Sequence, residues 1–205
     1  MTLRTLVRVA IRVGIFGGTF DPPHIGHLSV AVHARHALEL DEVLLVVAHD
    51  PWQKRDIRQI TAAEHRLEMT SLAVEGLDGL AASSVEMRRG GASYTIDTVE
   101  QLVAEAAQAG REIEPVVIVG RDAALGLDSW FRADELRDMC VIAMADRPGA
   151  DDLLPPGWRI EPFESPLIDV SSSDLRRRIA VSAPIEVLVP SRLIDYIRSH
   201  GFYSA

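Results

Sequence analysis

The run PVVIVG at residues 115–120 is apolar at every position, and EVLLVVA at 42–48 is apolar after its first residue. This absence of alternation constrains the fold more than any other feature of the chain. A strand with one wet face alternates polar and apolar side chains, whereas an unbroken apolar strand is covered on both faces. Residues 12–16 and 139–145 read as strands of the same kind, 80–87 as a further strand, and 159–162 as a short one. Longer segments with helical spacing lie between them. They are 25–40, a segment opening at the capping-box pattern Thr61-Ala-Ala-Glu64 and running to about residue 74, 98–109 ended by Gly110, 133–138, 172–180 and 191–200. Strands separated by helices predict a single-domain α/β fold, a doubly wound parallel sheet with helices on both faces. Residues 1–11 read as an N-terminal extension and 12–205 as the α/β domain, its C-terminal helical part starting at about 172.

In such a sheet ligands bind outside the carboxyl ends of the strands, so the informative loops follow Phe16, Ala48, Met87 and Gly120. The composition limits what those loops can meet. A net charge of −9 argues against nucleic acid and against an anionic membrane surface, and no apolar run reaches the length of a membrane span. The N-terminus lacks the pattern of a secretory signal. The single cysteine, Cys140, lies in the apolar run MCVIAMA, where it reads as core filler in a reducing cytoplasm. A phosphate-bearing ligand would therefore need a local basic pocket set against the overall field.

The loop GGTFDPPHIGH, residues 17–27, supplies one. Gly17 and Gly18 let the backbone turn and approach a ligand closely. Thr19 and Phe20 continue the turn, Pro22 and Pro23 stiffen it, and a helix starting near Ile25 points its free N–H groups back at it. His24 and His27, three apart, share a face of that first turn. A metal pair is the rival reading of these histidines, but a zinc site wants more ligands and the one cysteine is far off in sequence; His33 and His36 read as helix-surface or packing residues. A GxGxxG dinucleotide fingerprint is absent. The loop HDPWQKR, residues 49–55, carries Lys54, the only lysine among 21 basic residues. It reads either as a solvated surface residue or as a movable cation.

GGTFDPPHIGH resembles the (H/T)xGH signature of a nucleotidyltransferase superfamily, and VSSSDLR, residues 170–176, resembles its second signature, ISSTxxR, with Ser173 in place of Thr. SYTIDT at 93–98 and GRDAALGLDSW at 120–130 resemble segments of the bacterial nicotinate-nucleotide adenylyltransferases, and PWQKR followed by ITAAEHRLEM resembles the actinobacterial form. The resemblance spans roughly residues 13–200, and Arg121 stands where the family often has Ala.

That resemblance implies a Rossmann-like fold and transfer of the adenylyl group of ATP to nicotinate mononucleotide, with Mg2+ bridging substrate phosphates and no protein metal ligand. By residue, it implies catalytic His24, His27, Lys54 and Arg176. ATP would meet Gly17, Gly18, Thr19, Phe20, His24, His27, Gly120, Asp122, Ser172 and Arg176. The mononucleotide would meet Tyr94, Thr95, Trp130 and Phe131, Trp130 stacking on the ring unless it is simply core. Asp97 and Thr98 read as caps of the following helix, and Arg177 and Arg178 as a solvated face. An adenylyltransferase for nicotinamide mononucleotide or pantetheine phosphate, and a nucleotide-binding paralogue without turnover, stay open. So does a homo-oligomer.

Overall fold

The computed structural model describes residues 10–51, 60–146 and 155–204. Six strands form one sheet: β1 (Ile11–Gly18), β2 (Glu42–Val47), β3 (Leu80–Ser83), β4 (Ile113–Gly120), β5 (Val141–Asp146) and β6 (Ile160–Glu164). Their spatial order is β3-β2-β1-β4-β5-β6, and every neighbouring pair is parallel. This is the doubly wound order whose direction reverses between β1 and β4, and the crevice at that reversal is where ligands bind in such sheets.

The apolar strands are apolar throughout because each side of the sheet has its own core. Val43, Leu45, Val116 and Ile118 pack with Ala31 and Ala34 of α1 (Ile25–Ala37) on one face. Ile15, Val46, Val117 and Val119 pack on the other face with Ile96 and Val99 of α4 (Thr95–Gln108). Cys140 lies in this second core, fully buried, and burial pushes its thiol up to about 12, as expected of an inert core cysteine. A third cluster joins α2 (Ala63–Val74), α7 (Ser172–Ala180) and α8 (Ser191–Ser199) through Met69, Ala73, Leu175, Leu193, Ile194 and Ile197. It fixes the C-terminal helices against α2, which itself packs on β3 and β2. None of the described helices is long and apolar enough to cross a membrane.

Several boundaries differ from the sequence reading. Helix α1 ends at Ala37, because Glu39 adopts a left-handed conformation (φ 50°) and turns the chain toward β2. The segment 80–87 is a strand only to Ser83; a short helix, α3 (Val85–Arg89), follows. Thr61 does not form a capping box: the N-cap of α2 is Ala62, without a side-chain cap. Helix α4 starts at Thr95 and has Tyr94 as its N-cap, so Asp97 and Thr98 are not caps. Asp97 instead pairs with Arg132, and the Thr98 hydroxyl donates to the buried carboxylate of Glu86 at 2.8 Å.

Candidate active site

The signature loop leaves the end of β1 and folds back over itself. Phe20 takes a left-handed conformation (φ 49°), and its ring, 2% exposed, lies edge-on to Phe16 and His27. A Cβ on Gly18 would sit 2.6 Å from that ring, which is why the second glycine is required. The Phe20 side chain therefore supports His27 from below and is not available to a ligand; only its backbone is. A Cβ on Gly26 would meet the His24 imidazole at 3.0 Å, so this glycine lets the His24 ring lie against the first turn of α1.

His24 and His27 stack with ring centroids 3.7 Å apart. Burial lowers His24 to about 4, so it is neutral at physiological pH. The His24 backbone N–H donates to His27 Nδ1 at 3.2 Å. With Nδ1 accepting, a neutral His27 carries its proton on Nε2 and is a donor there.

The second signature meets the first. Ser171 caps α7 by accepting from Asp174 N–H. The Ser172 hydroxyl donates to the Pro22 carbonyl at 2.8 Å, and Arg176 Nη1 donates to the Asp21 carbonyl at 2.7 Å. Two helix N-termini, those of α1 and α7, thus flank one loop, with Arg176 anchored beside it. Arg177 and Arg178 both pair with Asp174 along the outer surface of α7, in keeping with a solvated face.

On the other side of that loop a cavity of about 580 Å³ opens between the ends of β1 and β4. Gly18 and Thr19 form one wall; Tyr94, Thr95, Asp122, Trp130 and Phe131 form much of the other. Trp130 packs on the core with one part and also borders a deeper chamber of about 180 Å³. Tyr94 and Phe131 pair at the mouth, ring centroids 4.4 Å apart. Arg132, left-handed at φ 53°, is tied to Asp97, Glu100 and Glu135 and so holds the Trp130–Phe131 segment against α4. Gly120 ends β4 with open space where a side chain would be. Arg121 is half-buried at the start of α5 (Arg121–Leu125).

The structure thus brings His24, His27, Ser172 and Arg176 to one end of the signature loop, and Tyr94, Thr95, Asp122, Trp130 and Phe131 around the cleft beside it. Lys54 lies outside the described residues. Sequence reasoning missed the supports. Arg66 is 1% exposed and donates to the carbonyls of Thr19 (2.9 Å), Thr61 (2.8 Å) and His49 (3.4 Å). Its signal was an arginine in register with Met69, Thr70 and Ala73 on the buried stripe of α2. Glu86, 7% exposed, accepts from His49 N–H and Thr98 and ties the end of β2 to α4; no pattern in the sequence marked it.

Comparison with known proteins agrees with this fold. The Cytidylyltransferase-like family matches residues 15–178. A protein of Acidothermus cellulolyticus named "Probable nicotinate-nucleotide adenylyltransferase" is 39% identical over 94% of this chain and 94% of its own length. One of the same name from Exiguobacterium sibiricum is 34% identical over 95% of this chain and 100% of its own. Among solved structures, the Plasmodium falciparum nicotinic acid mononucleotide adenylyltransferase complexed with NaAD shares the fold, with a TM-score of 0.74 at 17% identity, covering 94% of this chain and 97% of that one.

Proposed function

Because this chain belongs to the Cytidylyltransferase-like family and, within it, to the nicotinate-nucleotide adenylyltransferases, we propose a division of labour between the two halves of its site. The enzyme transfers the adenylyl group of ATP to nicotinate mononucleotide, giving deamido-NAD and pyrophosphate. The mononucleotide occupies the cleft, its ring against Trp130 and its carboxylate near the backbone at Tyr94 and Thr95. ATP runs along Gly17–Thr19, with its phosphates toward His24, His27, Ser172 and Arg176 and its ribose near Gly120 and Asp122. The observation that carries this reading is the shared loop: Gly18 and Thr19 wall the cleft, and a few residues on, the Asp21 and Pro22 carbonyls receive Arg176 and Ser172, so two anions placed on either side would meet end to end.

The chemistry follows from protonation. The attacking group is a phosphate monoester oxygen, already anionic near neutral pH, so the site needs no strong base. It needs donors aimed at the α-phosphate as charge builds there. His27 Nε2–H is such a donor. Neutral His24 supports it without adding a charge that would have to be desolvated. The planar Arg176 fork suits the oxygens of the leaving pyrophosphate. Lys54 would add a compact cation on the same group. The P–O bond to pyrophosphate breaks as the new bond to the mononucleotide oxygen forms, and pyrophosphate departs as the anion.

Nucleotidyltransferases generally use a divalent metal. Among the described residues no three His, Cys, Asp or Glu side chains gather into a metal-holding cluster, and the phosphate corner presents donors. That donor set fits Mg2+ carried by the substrate phosphates and water, where it would neutralise the leaving group. A reduced cytoplasm is the setting we propose for the reaction.

The test is pyrophosphate release with ATP and, in turn, nicotinate mononucleotide, nicotinamide mononucleotide and pantetheine phosphate. The expected result is preferred turnover of the nicotinate form. ATP binding without release would instead identify a non-catalytic paralogue. Preferred turnover of the nicotinamide form would direct attention to Arg121.

A further inference from the structure

The signature loop holds Phe20 in a left-handed conformation that a bulky side chain adopts only when its surroundings over-determine it. The surroundings here form a closed ring of hydrogen bonds whose two ends are the neighbours of Phe20. Arg66 donates to the Thr19 carbonyl at 2.9 Å and, through Nε, to the Thr61 carbonyl at 2.8 Å. The Thr61 hydroxyl donates to the Tyr203 oxygen at 3.3 Å. The Tyr203 hydroxyl in turn donates to Asp21 Oδ1 at 2.6 Å. Asp21 closes the ring and, through its carbonyl, also receives Arg176 at 2.7 Å.

Two members of the ring are fully buried and the others partly so. Asp21 and Arg66 are each 1% exposed, and burial together with the Asp21 carboxylate raises Tyr203 far above the ordinary phenol range, so its proton stays on the hydroxyl. Asp21 sits inside the signature loop, yet its carboxylate is engaged by Tyr203 and its backbone by Arg176. Tyr203 itself comes from the turn beyond α8, far from the loop in sequence, and is also held left-handed (φ 63°).

Resting on the functional reading above, we propose that Tyr203 is a positioning residue for phosphate transfer. Its hydroxyl fixes Asp21, and the Asp21 carbonyl fixes the guanidinium of Arg176, so the C-terminal tail sets where the ATP phosphates are held. Tyr203 touches no substrate. Its effect therefore falls on ATP and on turnover, and passes through Arg176.

The experiment compares Tyr203→Phe, Arg176→Ala and the double variant in full-length protein. Steady-state kinetics are run for each substrate, and ATP affinity is measured by titration calorimetry. Tyr203→Phe keeps the ring and deletes the hydrogen bond to the Asp21 carboxylate together with the longer one accepted from Thr61. It is expected to lower kcat/KM for ATP about tenfold and to weaken ATP binding, while the KM for the mononucleotide changes little. In the Arg176→Ala background the same change is expected to cost almost nothing more. The proposal is overturned if Tyr203→Phe lowers only the melting temperature, if both substrates suffer equally, or if its loss is undiminished in the Arg176→Ala background. Should Tyr203→Phe fail to fold, Asp21→Asn, which keeps an acceptor of the same shape but removes the charge that the Tyr203 hydroxyl meets, is judged by the same criteria. If the unsubstituted protein transferred no adenylyl group, the functional reading would fail, while the ATP-binding arm would still decide the role of Tyr203.

Discussion

The imidazoles of His24 and His27 stack at 3.7 Å, and one of them, His24, is buried enough to titrate at about 4. The sign of the resulting pH dependence follows directly. An unfolded chain takes up a proton at His24 below about pH 6.5, and the folded protein does not until about pH 4. Stability tied to this group is therefore complete above that window and is lost as pH falls through it, by an amount on the order of 3 kcal/mol. Denaturant unfolding of the unsubstituted protein and of His24→Asn between neutral pH and pH 4.5 checks this. The unsubstituted protein should show the steeper decline, and parallel curves would contradict a neutral His24.

His27 differs from its partner because its Nδ1 is occupied by the His24 backbone and its Nε2–H is the donor. Deleting one donor aimed at developing charge costs about 10²–10³ in kcat. His27→Ala is expected to show a loss of that size with the mononucleotide KM nearly unchanged. Equal losses in binding and turnover would mean that His27 holds the ground state as firmly as the transition state.

Trp130 is the aromatic residue common to the cleft and the chamber beneath it. Stacking of a heteroaromatic ring on an aromatic side chain contributes about 1–3 kcal/mol. Trp130→Ala should therefore weaken the mononucleotide about five- to a hundredfold, with ATP affinity much less affected. Fluorescence or calorimetric titration of each substrate separates the two effects.

The sheet was legible in the sequence because a strand buried on both faces has no polar positions to disguise it. The first signature loop was legible because glycine, proline and histidine at fixed spacing have few other uses, and the second because a run of serines ahead of Arg176 opens a helix. The supports were less so. Thr61, Asp97 and Thr98 look like caps from local spacing alone, and only the tertiary fold gives Thr61 to Tyr203, Asp97 to Arg132 and Thr98 to Glu86. Hydrogen bonds between residues more than a hundred positions apart leave no local pattern, and Tyr203 and Asp21 are such a pair. Phe20 shows the same limit within the motif itself: its place in the signature suggested ATP, whereas its burial makes it the floor under His27.

Adjacent glycines in the signature have opposite reasons to be glycine, and alanine distinguishes them. At Gly18 a methyl group would fall 2.6 Å from Cζ of Phe20, whose ring is wedged against Phe16 and His27 and has nowhere to retreat. Gly18→Ala should cost about 1–3 kcal/mol of stability by overpacking and should lower kcat as His27 is displaced. At Gly17 a methyl group would meet nothing within 4 Å, so Gly17→Ala should leave the melting temperature where it is. If the backbone of Gly17 approaches the nucleotide, however, that same methyl group occupies the ligand's space, and the KM for ATP should rise several-fold. Thermal unfolding and ATP-dependent kinetics on the two variants check both halves: a stability loss at Gly17, or an unchanged KM for ATP there, would remove the close approach of nucleotide to this turn.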